Sequence, residues 1–130
     1  MIADTSFIID LMRKKPDALK KLSEIEKNKE SQSTTSLTVF ELAVGIAMTQ
    51  FPDEEKKKIE EQLLKFSIYD FSVPYAYRGG LELGKLLKKG NPIDPVDVQI
   101  AGIALSENEK VVTRNIKHFN KIDDIKVESY

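Results

Sequence analysis

Apolar positions along this chain follow two rhythms: short runs alternate with longer stretches in which apolar residues recur every three or four positions. The short runs read as strands at residues 1–4, 67–71 (SIYDF), 110–113 (KVVT) and 125–129 (IKVES), with a more polar candidate at 31–34. The longer stretches read as helices. One spans 5–12 and opens on hydroxyl residues; the next, 16–28, has Pro16 in its first turn and Leu19, Leu22 and Ile25 on one face. Helices at 36–48 and 53–65 follow, the second with Ile59, Leu63 and Leu64 turned inward. The stretch 74–89 is helical with Gly79, Gly80 and Gly84 inside it, which points to close backbone approach to another element, and GNP at 90–92 stops it. A last helix covers 95–108. Strand–helix alternation without repeat or linker predicts an α/β fold: one domain, 1–130, with a central, mostly parallel sheet and helices on both faces.

Three acids interrupt this pattern. Asp4 sits between apolar runs, where a carboxylate is either a turn or cap residue or a ligand at the end of a buried strand. Glu41 has Leu37, Val44 and Met48 at offsets of −4, +3 and +7, so it is expected to face inward with them. A buried, unpaired carboxylate is costly, so it must be protonated, hydrogen-bonded, paired or bound to a cation. The alternative is a capping box with Thr38. Asp97 falls in the first turn of a helix opened by Pro95, a favourable place for a carboxylate, and it also heads a stripe of Ile100, Ala101 and Ala104. Asp94 reads as the cap of that helix. The apolar run VV ends in Thr113, Arg114 and Asn115. In open α/β sheets ligands gather beyond the carboxyl ends of the strands, where Asp4 and residues 113–115 are both expected.

Composition narrows the chemistry. With no cysteine and one histidine, His118, there is no disulfide framework, no thiolate nucleophile and no sulfur- or multi-histidine metal site, so any metal is held by oxygen. His118 has no partner in the pattern and reads as a surface or packing residue; Asp10 reads as lying on the solvated side of its helix. A net charge of −1 excludes a uniformly basic coat for nucleic acid but leaves room for local patches. Arg13, Lys14, Lys15, Lys88, Lys89 and above all Arg114 are candidates for phosphate contacts. The acids around the first apolar run do not suit a secretion leader and no stretch suits a membrane span, so a cytoplasmic protein without a membrane partner is expected.

Four segments in order, ADTSFIIDLM, TTSLTVFELAVG, PIDPVDVQIAGIAL and VVTRNIKHFNKI, resemble the PIN-domain family, and more closely its VapC toxins. Together they cover essentially the whole chain. The resemblance implies that Asp4, Glu41 and Asp97 are catalytic and hold Mg²⁺ or Mn²⁺, with Asn115 standing where the family often has a fourth acid. Asp94 is a further, less favoured candidate for that fourth ligand. It implies that Thr5, Ser6 and Thr113 support the acids, that Arg114 contacts substrate, and that the reaction is hydrolysis of RNA phosphodiester bonds. A homodimer and a VapB-like antitoxin are the implied partners. A PIN-like processing or DNA-directed nuclease, and a non-catalytic interaction module, are the alternatives.

Overall fold

The computed structural model describes residues 1–130. Five strands form one sheet: β1 (Ile2–Ala3), β2 (Ser33–Thr35), β3 (Ser67–Tyr69), β4 (Val111–Val112) and β5 (Val127–Glu128). Their order is β3-β2-β1-β4-β5, and all four pairings are parallel. The seven helices are α1 (Thr5–Met12), α2 (Pro16–Lys27), α3 (Ser36–Met48), α4 (Pro52–Leu63), α5 (Val73–Lys88), α6 (Pro95–Glu107) and α7 (Ile116–Phe119).

Successive strand residues point to opposite faces, and here they divide the core in two. Ala3 and Val112 join a cluster with Phe7, Leu11, Ile25, Leu42 and Ile59, which places α1, α2 and α4 on one face. Ile2 and Val111 join the other, with Leu86, Ile100, Ile103 and Phe119 from α5, α6 and α7. The expected α/β architecture is therefore the observed one.

The differences are local. The polar strand sits at Ser33–Thr35 rather than 31–34, and all three of its residues are buried. Thr34 Oγ1 donates 2.8 Å to the Ala3 carbonyl, so hydroxyls satisfied by neighbouring backbone replace apolar side chains there. The one-turn helix α7 is too short to carry a periodic signal and was not expected. Leu64 is 87% exposed because α4 ends at Leu63, before Leu64 could join the inward stripe. Of the three glycines in α5, only Gly79 is at a close approach: a Cβ there would stand 3.0 Å from the Val98 carbonyl of α6, while Gly80 and Gly84 face open space. The matching contact comes from Gly102 in α6, where a Cβ would meet the Gly79 amide nitrogen at 2.8 Å.

Candidate active site

The sheet changes winding direction between β1 and β4, the switch point where open α/β folds bind ligands. Ile2 and Ala3 register with Val111 and Val112, and the Asp4 amide donates to the Val112 carbonyl at 3.0 Å, so Asp4 and Thr113 leave the sheet side by side. Asp4 starts α1, but its side chain does not cap that helix. It is 3% exposed. Thr113 Oγ1 donates to Asp4 Oδ2 at 2.7 Å and Ser6 Oγ donates to the same oxygen at 3.1 Å. Both donors are neutral, and Oδ1 receives no protein donor.

Glu41 follows from the start of α3. Thr35 caps that helix by accepting from the Thr38 amide, so the cap lies upstream of Thr38 and the capping box between Thr38 and Glu41 does not form. Thr5 Oγ1 donates 2.6 Å to Glu41 Oε1 instead. The inward stripe expected around Glu41 is only partly inward: Leu37 packs in the core, whereas Val44 and Met48 are exposed, Met48 at 82%. The later turns of α3 pack Ile46 against the core, and the face that carries Val44 and Met48 is left uncovered.

Asp97 lies in the first turn of α6. Asp94 is the cap, accepting from the Val96 amide at 2.8 Å. His118 Nδ1 stands 3.0 Å from Asp97 Oδ2, and since a carboxylate only accepts, the ring donates. The sequence pattern missed this partner because it depends on α7, which swings His118 back over α6. Asn115 starts α7 and its amide donates to Thr113 Oγ1 at 2.9 Å.

These carboxylates influence one another. Partial burial, with the negative charges of Asp4, Asp97 and Asp94 added, raises the pKa of Glu41 above its ordinary value despite the Thr5 hydroxyl. Burial and the charge of Asp4 raise that of Asp97 as well, against the pull of His118. Asp4, Glu41 and Asp97 thus share one electrostatic region. They do not form a closed cage: no three His, Cys, Asp or Glu side chains are arranged as a ligand set for one ion, each acid being turned to its own hydroxyl or ring. The donor chemistry fits a hard divalent cation, since the region offers carboxylate oxygens without thiolate and without a lysine or arginine paired to any of the three.

Asp10 departs most from expectation. It is 1% exposed and lies on the buried stripe of Ser6 and Phe7, at offsets of +4 and +3, a helical spacing that marks an inward position in the sequence itself. Arg114 Nη1 reaches both of its oxygens, at 2.8 and 3.0 Å, Tyr130 Oη donates to Oδ2 at 2.6 Å, and Lys15 Nζ stands 3.3 Å away. Arg114 is therefore an ion-pair partner as well as a residue beside the acids. Among the other basic candidates, Lys15 is drawn into this pair and Lys89 lies 4.0 Å from Asp123.

A family model described as the PIN domain matches residues 1–125. The tRNA(fMet)-specific endonuclease VapC of Salmonella typhimurium is 28% identical over 127 residues, covering 98% of this chain and 95% of that protein. Ribonuclease VapC2 of Haemophilus influenzae has the same identity and coverage. Of the solved structures, VapBC2 from Rickettsia felis, bound to a DNA fragment from their promoter, superposes with a TM-score of 0.91 at 28% identity, covering 99% of this chain and 97% of that one. DNA-bound VapBC from Salmonella typhimurium superposes at 0.89 with 27% identity, covering 98% and 96%.

Proposed function

The chain belongs to the PIN-domain family, and from that membership we propose that it is a metal-dependent endoribonuclease, the toxin of a VapBC-type toxin–antitoxin pair, with residues 1–130 acting as one nuclease domain. The observation that supports the reading is electrostatic: the charge of Asp4 adds to burial in raising the pKa of both Glu41 and Asp97, and none of the three is paired with a lysine or arginine. Carboxylates that raise one another's pKa repel, a conflict that a divalent cation resolves.

Asp4, Glu41 and Asp97 would hold Mg²⁺ or Mn²⁺, with Asn115 offering an uncharged fourth oxygen; Asp94 is committed to its cap. A divalent ion bound there supplies polarisation of a phosphodiester oxygen and an activated water for in-line attack. The chain supplies the rest. Thr113 and Ser6 orient Asp4, Thr5 orients Glu41 and His118 orients Asp97, each through one hydrogen bond that fixes which carboxylate oxygen stays available. Arg114 stands beside them with donors for a substrate phosphate.

Two surfaces support the partners in this reading. A groove beside Glu41 has an apolar floor of Ile9, Met12, Leu42 and Ile59 and a charged rim that includes Arg13, Glu55 and Lys58, and it suits an antitoxin segment with an apolar face and charged flanks. On α5, exposed Val73, Tyr77 and Leu81 around the open Gly80 suit a second copy of the chain. No helix is long and apolar enough to cross a membrane.

The test is hydrolysis of single-stranded RNA and of DNA by the purified chain with Mg²⁺, with Mn²⁺ and with EDTA. Metal-dependent cleavage of RNA alone is expected. Cleavage of DNA in preference to RNA, or no turnover with either metal, would overturn the assignment.

A further inference from the structure

A polar link from Asp4 and an ion pair from Asp10 lead to the same residue, Arg114. Ser6 Oγ donates to Asp4 and accepts from the backbone amide of Arg114 at 3.1 Å, so the Arg114 main chain is one hydroxyl away from the acid region. Its guanidinium is held from the other side by Asp10, with both hydrogen bonds running through Nη1. A guanidinium carries five donors in a planar fork. With Nη1 spent on Asp10, Nε and Nη2 remain for another acceptor, on a side chain that is about half exposed.

Asp10 is itself over-determined. It is buried on α1, and its Oδ2 takes a hydrogen bond from Tyr130, whose ring packs on Phe7 with centroids 4.9 Å apart. A carboxylate fixed by packing and by a phenol makes a rigid anchor, whereas a free arginine side chain loses rotamer entropy when it is immobilised. The Arg114 side chain stays about half exposed, so its unpaired donors can be reached from solvent.

We propose that Asp10 is a positioning residue: it holds the Arg114 guanidinium so that Nε and Nη2 are presented, already ordered, to a backbone phosphate of the RNA strand next to the cleaved bond. The ligand's identity rests on the ribonuclease reading above; the coupling between Asp10 and Arg114 does not. The chemistry recognised is the phosphate of a single-stranded ribonucleotide chain, met by a fork whose orientation is set by the protein before the strand arrives. Asp10 touches no substrate in this arrangement.

The test is a double-mutant cycle, read both as RNA cleavage kinetics and as equilibrium binding of a fluorescent single-stranded RNA oligonucleotide in EDTA. The cycle cancels the direct effect of removing the Asp10 charge, which appears in both arms. Arg114→Ala should weaken binding and raise KM by about tenfold in the wild-type background, with kcat changed far less. In the Asp10→Asn background the same change should cost less than about threefold, because the guanidinium there is no longer held. Equal costs in both backgrounds would overturn the proposal and leave Asp10 a purely structural anchor. Should Asp10→Asn fail to fold, Arg114→Lys decides: its ammonium keeps the charge but cannot hold Asp10 and a phosphate together in the plane of a fork, so it should lose nearly as much as alanine, and wild-type affinity would overturn the proposal. If the chain binds the oligonucleotide with the predicted coupling and cleaves no RNA, the nuclease reading falls and the positioning role stands.

Discussion

Asp4 and Asp10 stand six positions apart on one segment of chain, and both are buried almost completely, yet the protein treats them in opposite ways. Around Asp10 it gathers a guanidinium, an ammonium and a phenol. Around Asp4 it places two hydroxyls, and nearby it adds two further carboxylates whose pKa values are raised in part by the Asp4 charge. A buried acid supplied with protein cations is neutralised within the fold. A group of acids given hydroxyls and one imidazole, with no lysine or arginine, is not neutralised in that way, and under the proposed function a cation from outside would do so. The contrast separates the ion-paired carboxylate from the proposed metal-holding ones more clearly than burial does, because both Asp4 and Asp10 are buried.

The comparison can be broken most directly at its functional end. Asp4→Asn and Asp97→Asn keep the side-chain volume and a hydrogen-bond acceptor but remove charge from the region, so RNA cleavage with Mg²⁺ or Mn²⁺ should fall by about a hundredfold or more while the chain stays folded. EDTA should abolish wild-type cleavage and added metal should restore it. Full activity in a folded Asp4→Asn protein would make Asp4 a turn residue and dissolve the contrast.

At the structural end the effect should appear in stability. Asp10→Ala removes the acceptor for Arg114 and Tyr130 and should lower the unfolding free energy by about 2 kcal/mol in denaturant titration. Asp4→Asn without metal should not be destabilising at all, since it relieves repulsion. A smaller loss for Asp10→Ala than for Asp4→Asn would reverse the assignment of the two acids.

Acidity sharpens the same contrast because the shifts have opposite signs. Burial alone would raise the pKa of Asp10, but the Tyr130 hydrogen bond with the Lys15 and Arg114 charges outweighs it and holds the carboxyl below its ordinary value of 3.8. The unfolded chain therefore takes up a proton first: the stabilisation is complete above the unfolded value and is lost as pH falls through the lowered folded one. Glu41 is raised above 4.5, chiefly by burial, so the folded chain takes up its proton first. Its cost is fully present above the folded value and disappears as pH falls below the unfolded one. In metal-free thermal melts Glu41→Gln should raise the midpoint by a few degrees at neutral pH and lose that advantage as pH falls below the unfolded value of 4.5, whereas Asp10→Asn should keep its deficit down to the unfolded value of 3.8 and lose it only below that. Parallel pH profiles for the two variants would remove the distinction.

The smallest effect is expected at Asp94, which shares the charge of the region but caps α6. Asparagine caps as well as aspartate, so Asp94→Asn should change stability by no more than a few tenths of a kcal/mol and leave cleavage within about twofold of wild type. A large loss of cleavage would move Asp94 from the cap into the metal-holding set.

Most of the element order was legible because it is a local property. Pro16 and Pro95 mark helix starts, and the alternation of short and long apolar rhythms gives a parallel sheet between two helical layers. Asp4, Glu41, Asp97 and Thr113 could be picked out because each interrupts an apolar pattern that would otherwise continue. Exposure at the later turns of α3 could not be read, since Val44 and Met48 obey helical period and lack only a neighbour to cover them. Likewise Gly80 and Gly84 look like Gly79 in the sequence, and only the approach of α6 at Gly102 distinguishes Gly79.

By itself, then, the sequence determined the alternation of strand and helix, the two faces of the sheet and the supply of acids without cysteine or a second histidine, because propensity, period and side-chain chemistry act over a few residues. The tertiary structure alone decided which acid receives a cation. Arg114 and Tyr130 reach Asp10 across 104 and 120 positions of chain, and His118 reaches Asp97 through a helix one turn long. No local pattern encodes such pairings: they depend on β4 lying beside β1 and on the last strand closing the sheet, and the energy that fixes them is electrostatic, a function of distance in space rather than separation in sequence.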